Sequence, residues 1–516
     1  MSAPLPMSQL VLLTQEPKLK LFGDATATGI ISDTRQIKAG DLFVCMPSNN
    51  TDTHALIQKA VESGAVAVLI HDETKVEFAQ TFCPCVLSLE YSPSNEPEFF
   101  KIISLLSREI LGDPSQKMRL IGITGTNGKT TVAWLLSQAL NLLGRKTTYL
   151  GTLGVKIAND DLIEIGNTTP FPVDFWNLLS ESSEKGVQDF VFEASSHALH
   201  QNRFAGIKLQ AGAFTNLTQD HLDYHKDMGS YALAKELLFS AYPQGTEAEP
   251  FVAAINEDDA TGKSWLDRLF EPSRPEVTRV GYGENGRDLV ISDVKVGANG
   301  VSFDAGYKGD SVKIGSPLAG YFNAWNLQTV VAILVGLDTK LSTIQQIIPQ
   351  LLAVPGRFES IPNSYGFSVI VDYAHTPDAL ESLLKSCRQI ATGKLISVFG
   401  CGGDRDNAKR PIMAKISTSL ADHTVFTADN PRTESLETIM THLIDGAAPG
   451  GSFSREDDRP TAITQAILGA KPGDVIVIAG KGHEDYQIIG KEKVPMDDRE
   501  ICRDALENYE QMQVNQ

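Results

Sequence analysis

The stretch Arg119-Leu-Ile-Gly-Ile-Thr-Gly-Thr-Asn-Gly-Lys-Thr-Thr131 decides how this 516-residue chain is read. Residues 119–124 are apolar enough for a buried strand. Glycines at 125 and 128 let the next loop turn its N–H groups inward, Lys129 adds a cation, and a helix follows from Thr130. A polyphosphate needs each of these parts: backbone donors at a helix N-terminus, a positive charge on the β- and γ-phosphates, and a hydroxyl for Mg²⁺. Gly125, Thr126, Asn127, Gly128, Lys129, Thr130 and Thr131 are therefore the expected nucleotide loop, with ATP and Mg²⁺ as cofactors. The spacing is not a strict G-x-x-x-x-G-K-T, because its first glycine would fall at Ile123; Gly122 and Gly125 flank that position.

Outward from this loop the same pattern returns. Short β-branched runs end in polar or glycine-rich turns: 190–193 before Ala194-Ser-Ser-His197, 369–372 before Tyr373-Ala-His-Thr-Pro377, and 395–398 before Gly400-Cys-Gly-Gly403. Residues 425–427 before Ala428-Asp-Asn-Pro431 and 475–478 before Ala479-Gly-Lys-Gly-His483 complete the series. Strand, turn and helix in alternation predict an α/β protein with parallel sheets, whose ligands gather beyond the strand carboxyl ends. At about 150 residues per domain the length suggests three. The polar, turn-rich segment 111–117 and the turn Val354-Pro-Gly-Arg357 place the domains at 1–113, 114–353 and 354–516.

The charge balance of 45 Lys and Arg against 64 Asp and Glu, formally -19, supplies no cationic surface for nucleic acid or anionic membrane. Anionic small molecules remain open to it where local cations and backbone donors converge. Six cysteines without a second zinc-like pair fit reduced thiols. No basic residue precedes the short apolar run at 10–13, and no run approaches the roughly 18 apolar residues of a spanning helix. A cytoplasmic monomer without membrane insertion is expected.

Further landmarks lie along nearly the whole chain. They are Ser32-Asp-Thr-Arg35 with Gly40-Asp-Leu-Phe43, Asn167-Thr-Thr-Pro170, Glu193-Ala-Ser-Ser-His197, Asp220-His-Leu-Asp223 and Tyr231-Ala-Leu-Ala-Lys235. Gly320-Tyr-Phe-Asn323, Gly356-Arg357, Asp372-Tyr-Ala-His-Thr-Pro377, Gly402-Gly-Asp-Arg405, Asp429-Asn-Pro-Arg432 and Gly480-Lys-Gly-His-Glu484 follow. Together with the phosphate loop, and in this order, they resemble the Mur ligases, ATP-dependent amide-bond-forming enzymes that extend the peptide stem of peptidoglycan precursors. The resemblance implies an N-terminal UDP-binding domain, a central phosphate-loop domain on a parallel mononucleotide-binding sheet, and a Rossmann-like C-terminal domain for the amino acid. The last two motifs resemble the branch that adds the third stem residue to UDP-N-acetylmuramoyl-L-alanyl-D-glutamate, and Asp-Asn-Pro-Arg its meso-2,6-diaminopimelate form.

An amine does not attack a carboxylate at useful rates, so such an enzyme first phosphorylates the carboxylate with ATP, and the amine then displaces phosphate. The crowded anions call for metal neutralisation. The resemblance implies Glu193 and His221 as metal ligands with Thr130, and Lys129 as the catalytic cation. Lys235, by composition alone, is a solvated residue of an amphipathic helix; the resemblance makes it a lysine carbamylated by CO₂ that binds or orients Mg²⁺. The UDP-sugar end is expected at Ser32, Thr34, Asn49 and Asn50, with Thr168, Thr169, Ser195, Gln201 and Arg203 from the middle domain. Isolated Asn-Thr-Thr and Ser-Ser segments also read as helix caps. Asn323, Arg357, Asp372 and His375 match family positions near the nucleotide, and Arg357 reads equally well as a hinge salt bridge.

Diaminopimelate is lysine with a second carboxylate at its far end. Arg432 supplies a guanidinium that grips such a carboxylate and repels a lysine ammonium. Arg405, Asp429, Asn430, Pro431, Gly480 and Glu484 complete the expected pocket, with Asp429 and Glu484 facing ammonium groups; taken alone, Asp-Asn-Pro-Arg also reads as a plain β-turn. The alternatives are a lysine-adding relative, a folylpolyglutamate-synthase-like ligase, and a non-ligating phosphate-loop switch. Arg432 argues against the first and the N-terminal Ser-Asp-Thr-Arg segment against the second. The switch leaves residues 167–170, Lys235 and 429–432 without a purpose.

Overall fold

A computed structural model describes residues 4–48, 51–243, 245, 249–270, 275–297 and 300–514. Asn49 and Asn50 lie outside the described residues. The class is α/β, with three sheets that are largely parallel. Two compact units carry them: residues 1–290 with 307–309 and 328–340, and residues 291–306 with 310–327 and 341–516.

The first unit opens with a five-stranded sheet ordered Lys20–Phe22, Val86–Ser88, Ala67–Ile70, Asp41–Val44, Gly29–Ile31, in which only the first pair is antiparallel. Helix Glu96–Ile110 covers it. Phe99, Phe100, Ile102, Ile103 and Leu106 recur at helical spacing and are buried, while Glu96 and Glu98 in the first turn and Arg108 in the last oppose the helix dipole. Ser104 of that helix accepts the Trp176 indole N–H at 2.7 Å and donates to Ala205 O at 2.8 Å, joining the sheet's helix to the next layer.

The nucleotide-loop strand Arg119–Thr124 lies at the centre of the following sheet, between Asp189–Glu193 and Leu209–Phe214. Thr147–Gly151 and Gly154–Ile157 extend it on one side, Phe251–Asn256 and Val277–Gly283 on the other. Its central strands are buried on both faces, as parallel strands under flanking helices must be. Buried Asp189 takes both Arg119 and Arg145 at the amino ends of these strands, so the carboxyl ends are left for chemistry.

In the second unit six strands run in the order Glu359–Ile361, Ser368–Asp372, Val475–Ala479, Leu395–Phe399, His423–Phe426, Phe453–Arg455. All neighbours are parallel except the first pair. Helices Pro377–Ile390, Lys409–Leu420 and Leu436–Asp445 build one apolar core on one face; Arg459–Leu468 and Asp498–Val514 build another on the opposite face. Strand order reverses between Val475–Ala479 and Leu395–Phe399, the point at which doubly wound sheets open a crevice beyond their strand ends. Gly400–Arg405, Asp429–Arg432 and Gly480–Glu484 all leave strands around that point. Beneath it, fully buried Arg459 donates Nε and Nη2 to Asp498 at 2.8 and 2.7 Å. Its Nη1 and Nη2 also reach the carbonyls of Ala428 (3.3 Å) and Ala479 (3.0 Å), the residues before Asp429 and Gly480. Among the described residues no helix is long and apolar enough to cross a membrane.

Candidate active site

Gly125 (φ 142°) and Gly128 (φ 87°) hold backbone conformations that side chains rarely adopt. A Cβ on Gly125 would also overlap Thr215 Oγ1. Neighbouring strand exits brace the loop from outside. Thr126 N–H donates to Asn216 O at 2.8 Å, Asn127 N–H to Asn216 Oδ1 at 2.9 Å, and Thr215 Oγ1 to Asn127 O at 2.6 Å. Lys129 begins helix Lys129–Leu142 and folds back, donating Nζ to Gly125 O (3.0 Å) and Thr126 O (2.9 Å). Thr131 is buried two residues further into that helix, which begins one residue before the Thr130 start expected from the sequence.

Thr130 Oγ1 donates to Glu193 Oε2 at 3.0 Å, so the hydroxyl and carboxylate expected at the metal meet. Glu193 is only 1% exposed. Its Oε1 accepts Thr152 N–H at 2.7 Å and Tyr149 O–H at 3.1 Å, and these bonds fix the carboxylate while leaving Oε2 toward the loop. His221 is half exposed, at φ 51°, with Nε2 3.3 Å from Asp220 Oδ2 and its ring 4.9 Å from that of His197. Among the described residues no three His, Cys, Asp or Glu side chains gather as a metal cage. The Thr130 hydroxyl and Glu193 carboxylate are oxygen donors of the kind that a hard cation such as Mg²⁺ takes beside water and phosphate oxygens.

Lys235 is 1% exposed, not a solvated face residue. Helix Met228–Ser240 buries it, and its Nζ donates at 2.7 Å to Gly125 O, the same carbonyl that takes Lys129. The Tyr231 ring lies 4.3 Å from Nζ. Burial, helped by the nearby Lys129 cation, holds this ammonium well below the usual lysine range. The lowered value makes its proton easier to remove than that of an exposed lysine.

A polar chain runs on from Glu193. Thr169 Oγ1 donates to Glu193 O at 2.8 Å, and Arg203 Nη1 to Thr169 O at 2.7 Å. Arg203 Nε donates to Gln201 Oε1 at 2.8 Å, and Gln201 Nε2 to Glu96 Oε2 at 2.6 Å. Thr168 Oγ1 pairs with Thr152 Oγ1 at 3.2 Å. Ser195 caps its short helix by accepting Ala198 N–H at 3.2 Å, so here the helix-cap reading is what the geometry has. Burial lowers Arg203 to about 10, which leaves it cationic at neutral pH, and its guanidinium lies 4.2 Å over the Phe171 ring. Ser32 and Thr34 line a separate cleft of about 2050 Å³ that reaches Asn167 and Pro170, on either side of Thr168 and Thr169.

In the second unit Asn323 Nδ2 donates to Ala319 O at 2.7 Å. Arg357 stacks 4.8 Å over the Tyr373 ring, and among the described residues its buried Nε has no hydrogen-bond partner. Asp372 accepts Phe358 N–H and Ala374 N–H at 2.7 and 2.8 Å, and His375 Nδ1 lies 2.9 Å from Tyr373 O. The amino-acid crevice is more elaborate. Arg432 is at φ 54°, and its Nη1 donates to Gly403 O at 2.9 Å and Asn430 O at 3.5 Å; among the described residues it has no ion-pair partner. A Cβ on Gly402 would lie 2.9 Å from Arg432 Nη1 and would push the guanidinium aside. Asp429 and Asn430 are buried, Arg405 is exposed, and Gly480 is at φ 114° with Asp429 beside it.

Several supports of these groups were not singled out from the sequence. Thr152 and Tyr149 serve Glu193 from a different strand hairpin, and nothing local marks them. Fully buried Arg410 donates two bonds of 2.7 Å to Glu434 and one of 3.0 Å to Gly402 O; that pairing pulls Glu434 down to about 2. Lys481 is inside the Gly480–Glu484 motif, and its signal was a lysine two residues after a wholly apolar strand.

Three family models match the chain: the Mur ligase family catalytic domain over residues 26–102, the Mur ligase middle domain over 123–334, and the Mur ligase glutamate ligase domain over 356–482. A Bacillus cereus protein named UDP-N-acetylmuramoyl-L-alanyl-D-glutamate–2,6-diaminopimelate ligase is 39% identical over 484 residues, covering 93% of this chain and 94% of that one. A protein of the same name from Trichormus variabilis is 40% identical over 496 residues, covering 95% and 96%. A solved structure of an enzyme with that name is 30% identical, with a TM-score of 0.66 over 94% of this chain and 96% of its own.

Proposed function

This chain belongs to the Mur ligase family, and from that premise we propose that it joins meso-2,6-diaminopimelate to UDP-N-acetylmuramoyl-L-alanyl-D-glutamate at the expense of ATP. The observation that carries the choice of amino acid is Arg432, a guanidinium that among the described residues bonds to the carbonyl oxygens of Gly403 and Asn430 and to no carboxylate, on a loop whose Asn430 side chain bonds Glu484. Such a crevice complements a head group that bears both a carboxylate and an ammonium.

The reaction has two steps. A substrate carboxylate oxygen attacks the γ-phosphorus of ATP, forming an acyl phosphate and ADP. The amine nitrogen then attacks the acyl carbon, and the tetrahedral adduct expels phosphate and loses a proton. The N–H groups of residues 128–131 and the Lys129 ammonium hold the phosphates, while Thr126 and Asn127 N–H brace the loop on Asn216, and Lys129 leaves its two loop carbonyls to do so. Asn323, Arg357, Asp372 and His375 are assigned to the nucleotide as well. Ser32, Thr34 and the polar chain from Thr168 through Arg203 hold the UDP-substrate, Arg203 against an acidic group. Mg²⁺, when bound, neutralises the crowded oxygens; Thr130, Glu193, His221 and Lys235 as a carbamate would hold it.

For that role the Lys235 ammonium first gives up a proton and its amine then adds to CO₂, forming an N–C bond and releasing a second proton, which leaves an anion beside the Lys129 cation. Protein equilibrated with ¹³C-bicarbonate is expected to show one carbamate carbon by NMR that Lys235→Ala lacks. An unlabelled wild type would remove the carbamate from the scheme.

Incubation with ATP, Mg²⁺, UDP-muramoyl-dipeptide and either diaminopimelate or lysine tests the function directly. Diaminopimelate should be consumed and lysine spared, and Arg432→Ala should cut the preference by about a hundredfold, the worth of a bidentate charged pair. Phosphate release without ligation would instead mark a switch, and equal use of both amines would refute the Arg432 assignment.

A further inference from the structure

Lys481 is fully buried, two positions beyond the end of Val475–Ala479, a strand of five wholly buried apolar residues. Burying an ammonium is costly unless its partners surround it. Its Nζ donates to Glu484 Oε2 at 2.9 Å and to Asn430 Oδ1 at 3.0 Å, with Asp429 Oδ1 at 3.9 Å. The turn in which Glu484 N–H donates to Lys481 O at 3.0 Å brings cation and carboxylate to the same side.

Asn430 is held from every direction. Ile488 N–H can only donate, so the atom it reaches at 2.8 Å is the amide oxygen, which also takes Lys481. The amide nitrogen then donates to Glu484 Oε2 at 3.0 Å. Asn430 therefore has little left to offer a ligand. Both donors fall on one oxygen of Glu484, and among the described residues no bond occupies Oε1.

We infer that Lys481 is a positioning residue for amino-acid selection: with Asn430 it locks Glu484 Oε2 so that Oε1 faces the ammonium of the incoming zwitterion. Lys481 also sets the charge. Its ammonium offsets the Glu484 and Asp429 carboxylates, 2.9 and 3.9 Å away. Without Lys481 those carboxylates would be less compensated and better matched to lysine's lone ammonium. The inference rests on the proposed ligase activity and adds the residue that presets its selectivity.

Lys481→Met keeps the length and removes the charge. Its KM for diaminopimelate should rise about tenfold or more, the usual weight of a bond to a charged group, with the KM for ATP within about twofold of wild type. The ratio of kcat/KM for diaminopimelate over lysine should fall, and Lys481→Arg should recover part of it. An unchanged KM for diaminopimelate, or equal rises for diaminopimelate and ATP, overturns the inference. If the Met variant does not fold, Asn430→Ala decides. It leaves the Lys481–Glu484 pair in place and frees Glu484 from one donor, so it should raise the diaminopimelate KM alone, and a wild-type KM there overturns the inference equally. Wild-type protein that ligates neither amine would instead sink the ligase reading, which separates the two failures.

Discussion

Replacing Lys129 by Ala is expected to lower ligation by about a thousandfold, the scale at which one preorganised charge on a reacting phosphoryl group is lost. The cause is local. Nζ sits within 3.0 Å of the Gly125 and Thr126 carbonyls, ready to exchange them for phosphate oxygens, while strand exits at Thr215 and Asn216 keep the loop in shape without it. Lys235 still donates to Gly125 O, so the thermal transition should move little. Steady-state product formation with ATP, UDP-muramoyl-dipeptide and diaminopimelate measures the loss. Turnover above about a tenth of wild type would refute the nucleotide-loop assignment.

Asp498→Ala should cost about 3–5 kcal/mol of stability, because it leaves the Arg459 guanidinium buried and uncompensated. Denaturant unfolding followed in the second unit reads this cost. The double replacement Arg459→Met with Asp498→Leu should recover most of it, since removing both charges also removes the desolvation penalty. A single-variant loss below about 1 kcal/mol would show that the guanidinium finds water or another partner. Arg459 also holds the carbonyls of Ala428 and Ala479, so the single variant that still folds should bind the amino acid more weakly than wild type.

The strands were legible because their burial on both faces leaves uninterrupted apolar runs. The runs read at 120–124, 190–193, 369–372, 395–398 and 475–478 fall within Arg119–Thr124, Asp189–Glu193, Ser368–Asp372, Leu395–Phe399 and Val475–Ala479. The run read at 425–427 ends one residue beyond strand His423–Phe426. Lys235 shows where local pattern misleads. The mean hydropathy of Tyr231-Ala-Leu-Ala-Lys235 allows an outward lysine, and only the packing of the helix against the phosphate loop turns it inward to Gly125 O. Ser195 and Thr169 went the other way, as their cap and carbonyl bonds are part of the scaffold around Glu193.

The amino-acid sequence by itself determined the α/β class, the phosphate loop, the family and the guanidinium at Arg432, because each depends on residue types at short spacing. Tertiary structure alone decided that Tyr149 and Thr152 aim Glu193, that two lysines share one carbonyl, and that Lys481 and Asn430 hold Glu484. These contacts join residues up to 110 positions apart. Their geometry follows from sheet order and register, which bring distant strand exits together and have no counterpart in any local run of residues.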